Sequence, residues 1–221
     1  EYGDVCLVKW TSDGDYEWVR TWSAIGKATA SGIMYQGWGG KKLNVDFSDN
    51  VLILSELNFY VDLDPGPELM EYNGNGLALS KFTSDGDLIW ADIWECYATI
   101  GIIGYGVCAD QSSNYYIGGA FESYVDLDPG DGVDTHTADG WRSSFVLKLN
   151  ENGDYQWANS FGPSTSDPCE SWDVCVNNND IPYAGGYFKG TVDFDPGPDT
   201  GNHSSFAWAG YLIKYTPEGT W

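Results

Sequence analysis

The stretch Val61-Asp62-Leu63-Asp64-Pro65-Gly66 recurs twice, as Val125-Asp126-Leu127-Asp128-Pro129-Gly130 and as Val192-Asp193-Phe194-Asp195-Pro196-Gly197. The prolines stand at positions 65, 129 and 196, so the copies follow one another at a nearly constant spacing. Self-similarity at a fixed spacing is the sequence signature of a repeat architecture, in which each repeat is one structural unit. The sequence therefore predicts tandem units.

A second motif recurs in the same phase and predicts a β-hairpin in every unit. It places a strand with a lysine before a polar turn that ends in Gly-Asp, and a tryptophan follows. Its copies are Leu7-Val8-Lys9-Trp10-Thr11-Ser12-Asp13-Gly14-Asp15 with Trp18, Leu79-Ser80-Lys81-Phe82-Thr83-Ser84-Asp85-Gly86-Asp87 with Trp90, and Val146-Leu147-Lys148-Leu149-Asn150-Glu151-Asn152-Gly153-Asp154 with Trp157. Glycine in such a turn supplies the positive φ that a tight hairpin needs.

These motifs predict an all-β fold of tandem four-stranded antiparallel blades in a propeller-like repeat array. The predicted units are residues 1–75, 76–142 and 143–209, and residues 210–221 repeat the first strand of a fourth unit. Closed propellers have about four to eight blades, so we expect the array to be open or completed by neighbouring subunits. The surplus strand then pairs either within the chain or with another copy.

The units resemble SBBP-type β-propeller repeats of bacterial secreted proteins. The third unit carries the likeness most fully, in residues 145–149, Gly153, Trp157-Ala158, Gly186, Phe188 and residues 192–197. The first unit departs from the pattern because it lacks the Gly-Gly pair that the others have before the Asp-Pro-Gly motif. The resemblance covers almost the whole chain and implies a propeller fold in a secreted or surface protein. It implies no particular chemistry, because a fold does not determine a function.

The paired aspartates of the repeated motif are candidate metal ligands. They are Asp62 and Asp64, Asp126 and Asp128, and Asp193 and Asp195. Ca²⁺ takes about six to eight oxygen ligands, so each pair needs further oxygens from carbonyls, water or a neighbouring unit. The alternative is that each motif is only a turn that its first aspartate caps. Calcium is the predicted cofactor, and we expect a chelator to lower the melting temperature.

The five cysteines favour disulfides within units, which would place the protein in an oxidising compartment. Cys108 and Cys175 occupy the same repeat phase, and each has another cysteine upstream in its unit. The predicted bridges are therefore Cys96–Cys108 and Cys169–Cys175, which leaves Cys6 over. The alternative is that these thiols are buried and unbonded.

The charge of the chain limits its partners. With 33 acidic and 10 basic residues, the formal net charge is −23. Such a chain repels nucleic acid and anionic membrane surfaces, and no apolar run is long enough to insert into a membrane. We expect cations and other copies of the chain as partners, at the cell surface or outside the cell. The sequon Asn202-His203-Ser204 marks Asn202 as a candidate glycosylation site.

Three functional hypotheses follow. The first is a calcium-stabilised structural protein of a surface or matrix that associates head to tail into a filament. The second is an adhesin or carbohydrate-binding module, in which the off-phase tryptophans Trp38, Trp141, Trp172 and Trp208 stack on sugars. The third is a glycoside-processing enzyme. We predict that the chain is not an enzyme, because its carboxylates repeat in every unit whereas a catalytic pair is expected at one site.

Overall fold

The computed structural model describes residues 5–22, 33–34, 43–57, 60–96, 101–195 and 197–221. This part of the chain contains no helix, and its strands pair antiparallel. The predicted all-β antiparallel class is confirmed, while the propeller-like arrangement stays a prediction. Aromatic and aliphatic residues at alternating positions favour this class, because successive side chains of a strand point to opposite faces of a sheet.

The strands, in chain order, are β1 (Val5–Trp10), β2 (Tyr16–Trp22), β3 (Ile33–Met34), β4 (Leu43–Val45), β5 (Val51–Leu57), β6 (Tyr60–Asp62), β7 (Glu71–Asn73), β8 (Asn75–Phe82), β9 (Leu88–Cys96), β10 (Ile102–Ala109), β11 (Tyr115–Phe121), β12 (Tyr124–Asp126), β13 (Thr135–Thr137), β14 (Ser143–Leu149), β15 (Tyr155–Phe161), β16 (Cys169–Val176), β17 (Pro182–Asp193) and β18 (Asn202–Lys214).

Apart from two small hairpins, the described residues form four sheets that follow one another along the chain. The first is β1–β2, the second joins β3 and β4 to β5, β8 and β9, the third runs β10-β11-β14-β15, and the fourth runs β16-β17-β18. Small hairpins leave the second and third sheets between their inner strands, as β6–β7 and β12–β13. In the fourth sheet the outer halves of β17 and β18 form the equivalent hairpin, after a register shift between Phe188 and Gly190. We call these the Asp-Pro-Gly hairpins, because the repeated motif lies at their tips.

The sheets are out of phase with the repeats in the sequence. The third sheet takes β10 and β11 from the predicted unit 76–142 but β14 and β15 from the unit 143–209. The prediction that each unit forms its own sheet is therefore wrong. Gly119 of β11 lies opposite Phe145 of the next unit, and a Cβ on Gly119 would lie 2.6 Å from the Phe145 ring. Because Gly119 has no side chain, the Phe145 ring fits over it, and strands from two sequence units can pair in one sheet.

The segment predicted to be a surplus strand pairs within the chain. Strand β18 runs unbroken through position 210 and pairs with β17, from Asp193↔Asn202 to Tyr183↔Lys214. The segment that repeats the first strand of a unit, residues 210–214, therefore belongs to the fourth sheet.

The core lies between successive sheets and follows the alternation of side chains. Tyr115 packs in a cluster shared with the second sheet, whereas its neighbour Tyr116 packs in a cluster shared with the fourth sheet. The same division separates Leu147 of β14 from Val146. Strand β11 is buried along its whole length because the third sheet is covered on both faces.

The three predicted hairpin turns are confirmed, and a fourth turn of the same kind follows β18. In each turn a glycine N–H donates to a carbonyl at the start of the turn, over 3.0, 2.9, 3.1 and 3.0 Å in chain order. The glycines have positive φ angles, which L-residues with side chains rarely adopt. They are Gly14 (90°), Gly86 (81°), Gly153 (91°) and Gly219 (88°).

Candidate functional site

The first aspartate of each repeated motif closes its hairpin through backbone hydrogen bonds. Asp126 Oδ1 accepts the N–H of Asp128 over 3.1 Å and the N–H of Asp134 over 2.8 Å. Asp128 Oδ1 in turn accepts the N–H of Gly130 over 2.8 Å. A carboxylate that accepts several N–H groups fixes a loop strongly, because such bonds are charge-assisted.

The other two motifs repeat this network atom for atom. Asp62 Oδ1 accepts from Asp64 and Met70, over 3.1 and 2.9 Å, and Asp193 Oδ1 accepts from Asp195 and Gly201, over 3.1 and 2.8 Å. The second aspartates accept from Gly66 and Gly197, each over 2.7 Å. All six predicted ligands therefore take part in hairpin closure, as the turn alternative requires. Pro196 lies outside the described residues.

The described loop residues do not fit a calcium ion by themselves. In each loop, one oxygen of each of the two motif aspartates already accepts backbone N–H groups, and further carboxylates lie nearby in sequence, at Glu68, Asp131, Asp134 and Asp199. No cluster of three or more Asp, Glu, His or Cys side chains that could hold a metal occurs among the described residues. Ca²⁺ takes about six to eight oxygens, so an ion at a loop would need oxygens beyond those of the two motif aspartates. Calcium binding stays a prediction from the sequence.

Each Asp-Pro-Gly hairpin braces the preceding sheet. Trp94 of the second sheet donates its indole N–H to the carbonyl of Leu127, in the loop of the next hairpin, over 3.0 Å. Trp22 of the first sheet does the same to Leu63 over 3.1 Å. In the third copy a phenylalanine takes the place of the tryptophan, and the Phe161 ring packs 5.4 Å from the ring of Phe194.

A second contact between sheets recurs at the hairpin turns, and we call it the docking contact. A lysine and a tryptophan of one sheet donate to the same turn carbonyl of the next sheet. Lys9 and Trp18 donate to Ser84, over 3.0 and 3.2 Å, Lys81 and Trp90 to Glu151, over 3.2 and 3.4 Å, and Lys148 and Trp157 to Pro217, both over 3.0 Å. The sequence motif contained these lysines and tryptophans but did not reveal their role. The sequence did contain a signal for this contact: a lysine recurs at the same position of each motif copy, although the chain has few basic residues.

One face of the fourth sheet carries residues whose counterparts in the earlier sheets are covered by the following sheet. Leu212 stands where Val146 stands in the third sheet, yet its exposure is 75% against 1% for Val146. Lys214 likewise corresponds to the docking Lys148 and is exposed. We call this the outer face of the fourth sheet.

The first sheet exposes the other side of the docking contact, namely the hairpin turn that in later sheets accepts the lysine and the tryptophan of the preceding sheet. The turn glycines of the later sheets are buried, and a Cβ on Gly86 would lie 3.0 Å from Trp18 of the preceding sheet. Gly14 is exposed, with no heavy atom within 4 Å of an added Cβ. Trp10 is 58% exposed, whereas Phe82, its counterpart in the second sheet, is 1% exposed.

Aromatic side chains gather on the outer face of the fourth sheet. The ring of Tyr187 lies 4.9 Å from Trp172 and 4.8 Å from Trp208, edge to face in both cases. The structure thus brings two of the predicted sugar-stacking tryptophans together. It leaves Trp141 beside Arg142, whose guanidinium lies 4.8 Å from the indole ring centroid. Trp38 lies outside the described residues.

A buried charged group lies beneath these rings. Arg142 donates to Glu170 and to Glu122, each over 2.6 Å, and Glu170 also accepts the indole N–H of Trp172 over 3.1 Å. Burial and the negative charge of Glu170 raise the pKa of Tyr187 to about 12. Because Arg142 lies directly before β14 of the third sheet and Glu170 belongs to β16 of the fourth, the pair links the two sheets.

A series of hydrogen-bonded polar side chains joins the hairpin β12–β13 to β15 of the third sheet. His136 contacts Asp134 through Nε2 over 3.1 Å and Ser160 through Nδ1 over 2.8 Å, and the Tyr155 hydroxyl donates to Asp134. The residue types are those of a hydrolase triad. Ser160, however, lies inside β15 and not on the sharp strand-to-helix turn that exposes a hydrolase nucleophile. These bonds hold β12–β13 against β15, and the absence of enzymatic activity stays a prediction.

The cysteines contradict both predicted bridges, since none of the five forms a disulfide. Cys169 and Cys175 lie on the same strand, so they stand roughly 20 Å apart, far beyond the reach of a disulfide. Cys96 packs with the core between the second and third sheets, whereas Cys108 packs with the core between the third and fourth. Burial raises the pKa of Cys169 to about 12, so this thiol stays protonated at neutral pH, as in the buried-thiol alternative.

Other sequence-based expectations can be placed on the structure. Asn202 is exposed at the start of β18, and its glycosylation stays a prediction. In the part of the chain that the structure describes, no helix could cross a lipid bilayer. No protein-family model matches the chain, and none of the curated proteins matches it either.

Proposed function

We propose that this chain is an extracellular structural repeat protein whose copies associate head to tail, with the first sheet of one copy on the outer face of the fourth sheet of another. The observation that carries the proposal is the docking contact. It recurs at all three junctions between successive sheets, always through a lysine and a tryptophan on one turn carbonyl.

The two uncovered halves of this contact lie at opposite ends of the series of sheets. Leu212 and Lys214 on the fourth sheet correspond to residues that a following sheet covers. Trp10 and Gly14 on the first sheet correspond to residues that pack on a preceding sheet. Contacts that repeat head to tail without closing produce filaments, which suits a surface or matrix scaffold.

Composition and modification chemistry support an extracellular location. A net charge of −23 keeps such an assembly hydrated and disfavours binding to nucleic acid. The exposed sequon at Asn202 suits a secreted surface. Calcium binding at the repeated aspartate pairs stays a prediction, and head-to-tail association through the docking contact does not depend on it.

The experiment is sedimentation velocity over a wide dilution series at physiological ionic strength, which screens the acidic charge. We expect the unaltered chain to sediment faster as its concentration rises. Leu212→Glu should sediment as a monomer at every concentration, because it places a charge in the contact, and its melting temperature should not change because Leu212 is exposed.

Val133→Glu is the matched control, since Val133 is 78% exposed on a hairpin loop away from the outer face. This variant should associate as the unaltered chain does. An unaltered chain that stays monomeric throughout would contradict the proposal, and so would equal association of Leu212→Glu.

A second candidate function is glycan binding, and the aromatic group Trp172, Tyr187 and Trp208 favours it. Trp172 is held by its bond to Glu170, and Trp208 is 60% exposed. Rigid, exposed aromatic rings suit stacking on sugars. A monomer that binds a glycan array, and loses that binding in Trp208→Ala, would favour this function over self-association.

A further inference from the structure

The middle junction between sheets differs from the other two at one position. In the first junction Arg20 donates its Nε–H to the carbonyl of the turn glycine Gly86 over 3.1 Å. In the third, Asn159 donates its side-chain N–H to the carbonyl of Gly219 over 2.7 Å. Both residues follow the docking tryptophan at the same spacing. The equivalent residue at the middle junction, between the second and third sheets, is Asp92.

Asp92 faces the corresponding turn glycine without a hydrogen bond. Its Oδ2 atom is buried and has no partner, and a Cβ on Gly153 would lie 2.5 Å from that oxygen. An ionised carboxylate has only acceptors, so it cannot donate to a carbonyl as Arg20 and Asn159 do. A protonated carboxyl group has one O–H donor and can make the missing bond.

The charged groups around Asp92 favour the protonated form. Asp154 of the facing turn and Asp128 of the facing hairpin are both acidic, and Leu79, opposite Asp92 on β8, is apolar. Burial, followed by the charges of Asp154 and Asp128, raises the pKa of Asp92 to about 7.

We propose that Asp92 is a proton-sensitive contact between the second and third sheets. When it is protonated, its O–H donates to the carbonyl of Gly153, as the Asn159 amide donates to Gly219. When it is ionised, the proton is lost to solvent, and the carboxylate has no donor for that carbonyl and experiences the negative charges of Asp154 and Asp128. The junction therefore loosens as the pH of the folded protein rises through neutrality.

The effect on stability has a definite sign. The pKa of Asp92 is higher in the folded chain than the ordinary aspartate value of about 3.9. Its stabilising contribution is therefore complete below about pH 4 and declines as the pH rises to 7, above which it is lost.

The test is Asp92→Asn, because asparagine can donate to the Gly153 carbonyl at every pH. We expect its melting temperature to equal that of the unaltered chain near pH 4 and to exceed it by roughly 3–8 °C above pH 7. The control Asp13→Asn, in the exposed turn of the first sheet, should show no pH-dependent difference.

A second measurement does not depend on the variant. The Asp92 carboxyl carbon, followed by NMR in the folded chain, should titrate near pH 7. A titration midpoint near 4 would overturn the proposal, and so would an Asp92→Asn melting curve that parallels that of the unaltered chain from pH 4 to 8.

Discussion

Replacing Trp94 by alanine is expected to lower the free energy of unfolding by about 3–5 kcal/mol. The side chain is 1% exposed in the core between the second and third sheets, so its removal leaves a large cavity. The variant also removes the indole N–H that donates to Leu127, so the buried Leu127 carbonyl loses this hydrogen bond. Urea denaturation measures the change, provided that unfolding stays two-state.

Two further variants separate the cavity from the hydrogen bond. Trp94→Phe keeps most of the buried apolar surface but not the N–H donor, and we expect it to cost about 1–3 kcal/mol. Trp208→Ala, at a site that is 60% exposed, should change the stability by less than about 0.5 kcal/mol. If Trp94→Ala cost no more than Trp208→Ala, the hairpin would not brace the preceding sheet.

Replacing Arg142 by alanine is expected to cost about 3–5 kcal/mol at neutral pH. The Arg142 side chain is 11% exposed and that of Glu170 is 5% exposed, so the change leaves a buried carboxylate without its cation. Because the pair joins the third and fourth sheets, the loss loosens that junction. Chemical denaturation at pH 7 measures it.

An ion pair that is more exposed to solvent provides the control. Lys189 and Asp167 lie 2.7 Å apart, with side chains 37% and 27% exposed. Lys189→Ala should cost no more than about 1 kcal/mol, because solvent screens such pairs. The double variant Arg142→Met with Glu170→Gln should recover part of the loss, since it removes both charges. Equal costs for Arg142→Ala and Lys189→Ala would contradict a role at the junction.

The sequence predicted the repeat and the turns well, because both leave a signature in residue types. The turn glycines need positive φ, which few residues other than glycine adopt. The division of strands among sheets left no comparable signature. Pairing of β11 with β14 depends on how Gly119 accommodates Phe145, two residues in different sequence units.

The aspartates show why a motif can be found in a sequence while the hydrogen bonds that it makes are not predicted. Asp62, Asp126 and Asp193 each accept a backbone N–H from beyond the loop tip. The donors are Met70, Asp134 and Gly201, which share no side-chain chemistry because only their backbones take part. Repetition of acidic pairs predicts a cation site or a capped turn equally well, and the backbone donors that favour the turn are invisible in the sequence.

The cysteine prediction failed for a different reason. The repeat places Cys108 and Cys175 at equivalent positions of two units. It does not indicate on which face of a strand their predicted partners, Cys96 and Cys169, lie. Successive side chains of a strand point to opposite faces, and strand membership decides the distance along it. Cys169 and Cys175 lie on the same extended strand, so the strand itself holds them too far apart to form a bridge.

Hydrogen exchange of the tryptophan indole N–H groups, resolved by NMR, tests the docking contact most directly. We expect the indoles of Trp18, Trp90 and Trp157 to exchange roughly tenfold or more slowly than that of the exposed Trp208, because each is bonded to a turn carbonyl of the next sheet. Exchange of all three at the rate of Trp208 would contradict it, since the sheets would then not be joined by a recurring contact.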